Sequence, residues 1–302
     1  MTLITATSSI FGDLAESIRE QRALGIDVLD LKDKVLGKEV VDLDDAELEQ
    51  AAAMIEAAGM SLYCLSTVLF HPDVAEGEEA FAQQVEQVDR AIEVARRLQP
   101  RCIRLLAASS AARQPGEGLA EHLAASAPWL VDAYRSAIAK IQAAGFVTVI
   151  ENEVGASLLR APADVQALLP RLSDAGDAGL IWDVQNMWRT SGELPSLAAY
   201  RAVQPYLRYV HVKGGRLDAA GAMTRSTLAD TSWPVAEILR AVLADEASEA
   251  ICVNPCKGAA PPGGYDAVEG ARSDIRTVQR IVAQASGTKE SSGTKESRHG
   301  QG

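Results

Sequence analysis

A single (β/α)8 barrel is the fold class that this sequence predicts, and three observations predict it. Eight short apolar runs alternate with longer amphipathic segments along the chain. Each run is short enough for a strand buried on both faces, as strands of a parallel sheet are. Polar residues with ligating and catalytic chemistry gather at the C-terminal ends of the later runs, the end where such a barrel carries its site. A doubly wound open sheet is the main alternative. No Gly-x-Gly-x-x-Gly follows an early strand, so a dinucleotide-binding sheet lacks its usual signal.

The elements follow in order. "LITAT" (3–7) precedes the helical pattern "GDLAESIREQRALG". "IDVLDL" (26–31) leads into "DDAELEQAAAMIEAAG", where Asp44 or Asp45 caps the start and Gly59 stops the helix. "MSLYCLS" (60–66) precedes "EEAFAQQVEQVDRAIEVARRLQP", which ends at Pro100. "CIRLLA" (102–107) precedes "APWLVDAYRSAIAKIQAAG", which ends at Gly145. "FVTVIE" (146–151), "AGLIWD" (178–183) and "LRYVHV" (207–212) are followed by "PADVQALLPRL", "SLAAYRAVQ" and "SWPVAEILRAVLAD". "AICVN" (250–254) and "YDAVEGARSDIRTVQRIVAQ" complete the set. The barrel domain is expected over 1–285. The segment 286–302 opens with the tandem hexapeptide "SGTKESSGTKES", has nothing to bury, and is expected to be a disordered tail in which His299 plays no part.

Composition bounds the function. The chain has 302 residues, 47% hydrophobic and 23% charged, enough for one large core. A net charge of -12 disfavours nucleic acid and anionic membrane surfaces as partners. No apolar run approaches the ~20 residues of a membrane span, and the N-terminus lacks the basic start and apolar run of a signal peptide. Four cysteines do not suggest a disulfide framework, so a cytoplasmic protein is expected. Cys252 and Cys256 have no second Cys or His pair at zinc-site spacing and read as packed thiols.

The strand ends carry the chemistry. Strand five ends in "VIENEVG", with Glu151 and Glu153; strand six in "IWDVQNMW", with Asp183 and Asn186. Strand seven ends in "YVHVKGG", with His211 and Lys213; strand eight in "ICVNPCKG", with Asn254. Residues two apart share a strand face, so Glu151 with Glu153, and His211 with Lys213, are expected to point into the barrel mouth. Carboxylates and an imidazole from adjacent strands suit Mn²⁺, Mg²⁺, Co²⁺ or Zn²⁺. Taken singly, each of these residues also reads as a solvated strand-end group. "KGGR" (213–216) and "PCKGAAPPGG" (255–264) stand where barrels often bind phosphate, though a carboxylate or no anion fits them equally.

"ENEVG", "WDVQNMW" and "YVHVKGG", with the segment from Ile26 to Thr67, resemble the motifs of the sugar phosphate isomerase/epimerase family, the xylose-isomerase-like TIM barrels. The resemblance runs over roughly residues 3 to 284. It implies a metal site with one ligand from each of strands five to eight: Glu151, Asp183, His211 and a fourth position that falls on Asn254. The family usually has Glu there, before a Pro. Gly214 also departs from a common His-x-Lys-Asp pattern. Arg104 matches an Arg that some members carry near the substrate; it also reads as a strand-end Arg paired to a helix. Lys213, His71, Trp188 and Lys257 are further candidates for substrate contact. For His71 a surface loop, and for Trp188 barrel packing, is the plainer role.

Family epimerases are thought to use two metal-bound carboxylates on opposite faces of a carbon next to a carbonyl. Asn254 cannot take a proton, though its amide oxygen can still ligate a metal. The sequence therefore predicts a divalent-metal-dependent isomerase or epimerase-like enzyme, Mn²⁺ being the first expectation. It would abstract a proton from one face of a sugar or keto-sugar substrate, with Glu151, Glu153 and Lys213 as catalytic groups. A lyase or dehydratase on the same site, C-glycoside cleavage included, is the alternative, and a non-catalytic ligand-binding barrel or enzyme subunit is another. The expected partner is a small carbohydrate-like molecule, and the chain would tolerate a homo-oligomer face.

Overall fold

The computed structural model describes residues 2–32 and 34–296, the side chains of 287–296 excepted. Eight strands form a closed, all-parallel barrel: β1 (Leu3–Thr7), β2 (Val28–Lys32), β3 (Ser61–Ser66), β4 (Cys102–Leu106), β5 (Val147–Glu151), β6 (Ala178–Asp183), β7 (Leu207–Val212) and β8 (Ala250–Val253). Each strand pairs with its neighbours in sequence. The barrel closes where β1 meets β8, with Leu3 opposite Ala250 and Ala6 opposite Val253.

Helices wrap the outside: α1 (Leu14–Ala23), α2 (Asp45–Ala57), α3 (Glu78–Leu98), α4 (Leu119–Ser126), α5 (Leu130–Ala143), α6 (Pro162–Leu168), α7 (Val184–Ser191), α8 (Leu197–Val203), α9 (Val235–Ala244) and α10 (Ala267–Glu296). Local chemistry sets their ends. Asp44 caps α2 and Glu47 reaches back to it, a reciprocal capping box. α3 ends at Gln99, left-handed at φ 53°, immediately before Pro100. α10 does not end at the boundary expected near 285; its helical backbone continues through most of the hexapeptide repeat. The repeat contains no proline, and although Gly287 and Gly293 are poor helix formers its Lys and Glu are good ones, so the helix nucleated by the docked first half runs on. The rest of the expected tail, 297–302 with His299, lies outside the described residues.

Two apolar layers result. The larger lies between strands and helices and includes Leu29, Leu31, Leu105, Ile150, Trp182 and Val210. The smaller includes Tyr63, Cys64, Cys102, Val149, Ile181, Tyr209, Ala250 and Cys252. Its Cys and Val residues alternate with outward-facing ones, which places it in the barrel lumen. All four cysteines are buried free thiols. Two short hairpins extend the loops: Lys34–Val35 with Lys38–Glu39 after β2, and Arg216–Leu217 with Met223–Thr224 after β7. Among the described residues, no helix is long and apolar enough to cross a membrane.

Candidate active site

The lumen layer positions the polar cluster above it. Val28, Cys64, Cys102, Val149, Ile181, Tyr209 and Cys252 each stand two residues before Asp30, Ser66, Arg104, Glu151, Asp183, His211 and Asn254. A strand repeats its facing every two residues, so anchoring the apolar member fixes the direction of the polar one. Register does the rest: Asp183 lies opposite His211, and Cys252 lies opposite His211 on its other side.

The side chains converge tightly. Glu151 Oε1 lies 2.9 Å from His211 Nδ1 and 3.4 Å from Lys32 Nζ, and Arg104 pairs with its other oxygen. Asp183 Oδ2 takes Lys213 Nζ at 2.6 Å and the Asn254 amide at 3.3 Å. Its Oδ1 accepts the Asn186 backbone N–H at 3.0 Å, so Asp183 is also the N-cap of α7. His211 Nε2 and Asp30 Oδ2 face each other at 3.1 Å, out of line for a hydrogen bond. Asp30 Oδ1 accepts from the Ser66 hydroxyl at 2.5 Å. Asn152 braces the arrangement: its amide donates to the Asp183 carbonyl and accepts from the Asp183 N–H, both at 2.9 Å.

Burial and charge oppose each other here. Burial pushes the Glu151 carboxyl up, but Lys32, Arg104 and His211 outweigh it and hold the group well below the usual carboxylate range. Asp30 follows the same logic, with His211 and Arg104 overcoming burial to lower it. Burial pushes the His211 imidazole down, and Glu151 and Asp30 more than offset that, so it is raised. Arg104 is raised likewise, Glu151 and Asp30 prevailing over burial.

Glu151, Asp183 and His211 each offer a ligand atom, all within 4.8 Å of one another. The Asn254 amide completes the set, 2.9 Å from His211 Nδ1 and 3.3 Å from Asp183 Oδ2. Neighbouring donor atoms around an ion with ~2.1 Å bonds stand roughly 3 Å apart, as His211 Nδ1 stands from Glu151 Oε1 and from the Asn254 amide. With its NH₂ inward, Asn254 asks His211 Nδ1 to accept a proton while Glu151 asks it to donate one. A half-turn of the amide presents Oδ1 instead, and four acceptor atoms then face one centre. These residues fit a divalent cation. Asp30 beside His211 Nε2 stands where a carboxylate can favour the proton on that nitrogen electrostatically and leave Nδ1 for a ligand. Asp30, His211 and Cys252 form a second buried group of ligand atoms on the lumen side.

The other predicted residues divide. Arg104 and Lys213 belong to the cluster, Arg104 with its guanidinium also bound to the Ser66 and Thr67 carbonyls. β5 ends at Glu151, so strand alternation does not reach Glu153. The Glu153 carboxylate lies in the loop beyond, accepting from the Asn186 amide at 3.0 Å; Asn186 Oδ1 in turn accepts from Lys213 Nζ at 2.9 Å. Trp188 is buried on α7, and a Cβ on Gly215 would come within 2.7 Å of its ring. It also lines a groove with Leu194, Leu217 and Met223. The Lys257 side chain is exposed, and its backbone N–H reaches Gln185. His71 is exposed and lines a different groove with Glu39, Asp42 and Val68, so the structure does not bring it to the cluster. Asp30 and Lys32 were missed as site residues. Their signal was the i, i+2 spacing at the end of "VLDLK".

The fold and cluster define the chain as a (β/α)8 barrel with its polar centre at the C-terminal mouth. A family model described as xylose isomerase-like TIM barrel matches residues 18–272, and the chain belongs to that family. No curated protein sequence matches the chain. Among solved structures it is similar to a xylose isomerase-like TIM barrel protein from Mycobacterium smegmatis in complex with magnesium, at TM-score 0.71 and 18% identity. That match covers 94% of this chain and 98% of the other. It is also similar to an L-ribulose 3-epimerase, at TM-score 0.68 and 18% identity with 100% of both chains covered. A protein described as the probable 3-DHS dehydratase of Bacillus anthracis matches at TM-score 0.68 and 13% identity, covering 92% of this chain and 99% of that one.

Proposed function

We propose that the protein is a divalent-metal-dependent enzyme that moves a proton on a carbon next to a carbonyl of a small carbohydrate-type substrate, working from one face. The observation that carries this reading is the convergence of Glu151, Asp183 and His211 with the amide of Asn254 where a fourth carboxylate would otherwise stand. Glu151, Asp183, His211 and Asn254 Oδ1 would hold the ion, Mn²⁺ first among the candidates. A bound ion polarises a carbonyl and stabilises the enolate formed beside it.

The chain's own groups account for the rest. Glu151 is held ionised by Lys32, Arg104 and His211, which keeps it free to take a proton while lowering its basicity, so its role as base requires those cations to shift toward the substrate. Asn254 cannot, which leaves the opposite face without a base of the same kind. Lys213, paired with Asp183 and joined through Asn186 to Glu153, would serve as the partner acid that protonates a departing or carbonyl oxygen. A same-face isomerisation or a β-elimination needs only one base. The fold's likeness to a dehydratase as well as to epimerases supports keeping both reactions within the proposal.

The test is metal analysis of the purified chain together with solvent-deuterium exchange into keto-sugars and sugar acids. We expect about one Mn²⁺ per chain after loading, and exchange at one face that Glu151→Gln abolishes. Exchange unaffected by Glu151→Gln would sink the assignment of the base. A metal-free protein stabilised by sugars alone would point to a binding barrel instead.

A further inference from the structure

The barrel lumen holds polar atoms that the protein does not pair. Among the described residues, Thr7 Oγ1, Asp30 Oδ2 and His211 Nε2 are buried without a hydrogen-bond partner, and all three residues are 0% exposed. Buried polar groups are normally paired. These three are neighbours. Thr7 lies opposite Asp30 in the β1–β2 register, and Asp30 Oδ2 faces His211 Nε2 at 3.1 Å. Thr5 meets the Tyr209 hydroxyl in the lumen at 2.6 Å, so strand alternation turns Thr7 into the lumen as well. Cys252 stands between Thr5 and His211 in register. Its Sγ and the Asp30 and His211 ligand atoms all lie within 4.8 Å of one another.

The imidazole's tautomer suits a ligand on this side. Nδ1 stands 2.9 Å from the Glu151 carboxylate, an acceptor, so Nδ1 carries the proton in that contact and a neutral ring offers its lone pair at Nε2. Nε2 and Asp30 Oδ2 then face each other as two lone-pair atoms with a thiol beside them. Carboxylate, imidazole and thiol at one point are the donor set of a thiophilic divalent ion. Around Zn²⁺, with bonds of about 2.0–2.3 Å, tetrahedral neighbours stand roughly 3.3–3.8 Å apart. The Nε2–Oδ2 pair is already near that spacing, and Sγ has roughly 1 Å at most to close. We propose that Asp30, His211 and Cys252 form a second metal site, inside the barrel beneath the mouth, for Zn²⁺ or another thiophilic ion. The thiol binds as its thiolate and its proton leaves to solvent. Thr7 is placed to hydrogen-bond the water that fills the fourth position. The site stands apart from the mouth reading except in one respect, which rests on that reading. The mouth ion needs Nδ1 bare and the lumen ion needs Nε2 bare, and a neutral imidazole has one bare nitrogen. The two ions therefore exclude each other, and Zn²⁺ in the lumen inhibits the mouth.

Co²⁺ reports on such a site, because a thiolate ligand gives it a near-ultraviolet charge-transfer band that oxygen and nitrogen donors do not. The metal-stripped full chain is titrated with Co²⁺ to equilibrium. The expected result is a band that saturates, is abolished by Zn²⁺, is lost in Cys252→Ser and is kept in Cys64→Ser. No band in the parent means that water alone satisfies these atoms, and it overturns the site; a band that Cys252→Ser leaves intact overturns it too. Asp30→Asn supplies a reading that does not depend on the Cys252 variant folding. It should weaken Co²⁺ binding, followed by the same band, at least tenfold, and undiminished affinity also overturns the site. Saturating Mn²⁺ should raise the Co²⁺ concentration at half the band at least tenfold. An unchanged midpoint in a chain that holds Mn²⁺ overturns the exclusion and leaves the lumen site standing. A chain that holds no Mn²⁺ overturns the mouth reading and the exclusion with it, while the band still decides the lumen site.

Discussion

At Gly214 the chain has no room for a side chain. A Cβ there would run into the Ser226 carbonyl and the backbone carbon of Thr227. The segment 226–227 follows the hairpin of Arg216–Leu217 with Met223–Thr224, and Gly214 lets it lie directly on the strand end. The Asp of the family's His-x-Lys-Asp pattern cannot be accommodated, and Lys213 is anchored by Asp183 and Asn186 instead. Gly214→Ala is expected to cost about 1–3 kcal/mol through overpacking, seen as a fall of several degrees in Tm; an unchanged Tm would count against the steric account. "KGGR" was legible as special but not as to cause. The glycines could serve an anion or a close backbone approach, and only the partner segment, distant in sequence, decides. Asp30 and Lys32 were obscure for a different reason. Their strand lies outside the four that carry the family's ligands, although it shows the same two-residue spacing.

At the scale of elements, α10 docks its Asp274 under a short helical turn, Leu228–Asp230, where the Leu228 N–H donates to the carboxylate at 2.6 Å. Burial raises Asp274 to about 7, the Leu228 bond opposing it only in part. The sign follows from linkage. The unfolded chain ionises this group near pH 4, so the folded state holds the extra proton. Stability from the neutral form is complete below the unfolded pKa and is lost as pH rises to about 7. Asp274→Asn keeps an acceptor for Leu228 and removes the titration. Its Tm relative to the parent should rise between pH 5 and pH 8, and a difference independent of pH would refute the cause. Barrel strands proved the most legible elements: each of the eight begins and ends within two residues of its predicted run. α7 was not among the predicted helices, because "VQNMWRTS" follows directly on Asp183, which was read only as a strand end and ligand. Asp183 does both jobs, ligand candidate and N-cap.

For the whole molecule, the buried ionic cluster is a burden that the barrel carries for its site. Removing one partner of a buried pair typically costs about 3–5 kcal/mol, whereas replacing both by apolar groups is often neutral or stabilising. Arg104→Met should therefore destabilise in urea unfolding, and adding Glu151→Leu should recover only part of the loss, because Lys32 and His211 lose the same partner. A double variant as unstable as the single would mean that the pair itself holds the barrel together. Fold class was legible because parallel strands buried on both faces write themselves as plain apolar runs. The convergence of Glu151, Asp183, His211 and Asn254 was legible because strand direction and period fix where strand ends point. The surrounding cations were not all legible, since Lys32 and Glu151 meet across 119 residues of sequence.

Asn152 carries one more consequence. Its amide bonds both the N–H and the carbonyl of Asp183, as a further pair of backbone groups would if β5 ran one residue longer. The side chain thus acts as an extra rung, and it frees the main chain to leave the sheet one position early. In evolutionary terms that separates two jobs. Loop 153–160 is released to lengthen or change its sequence, because the position of Asp183 is already secured on the strand side of it.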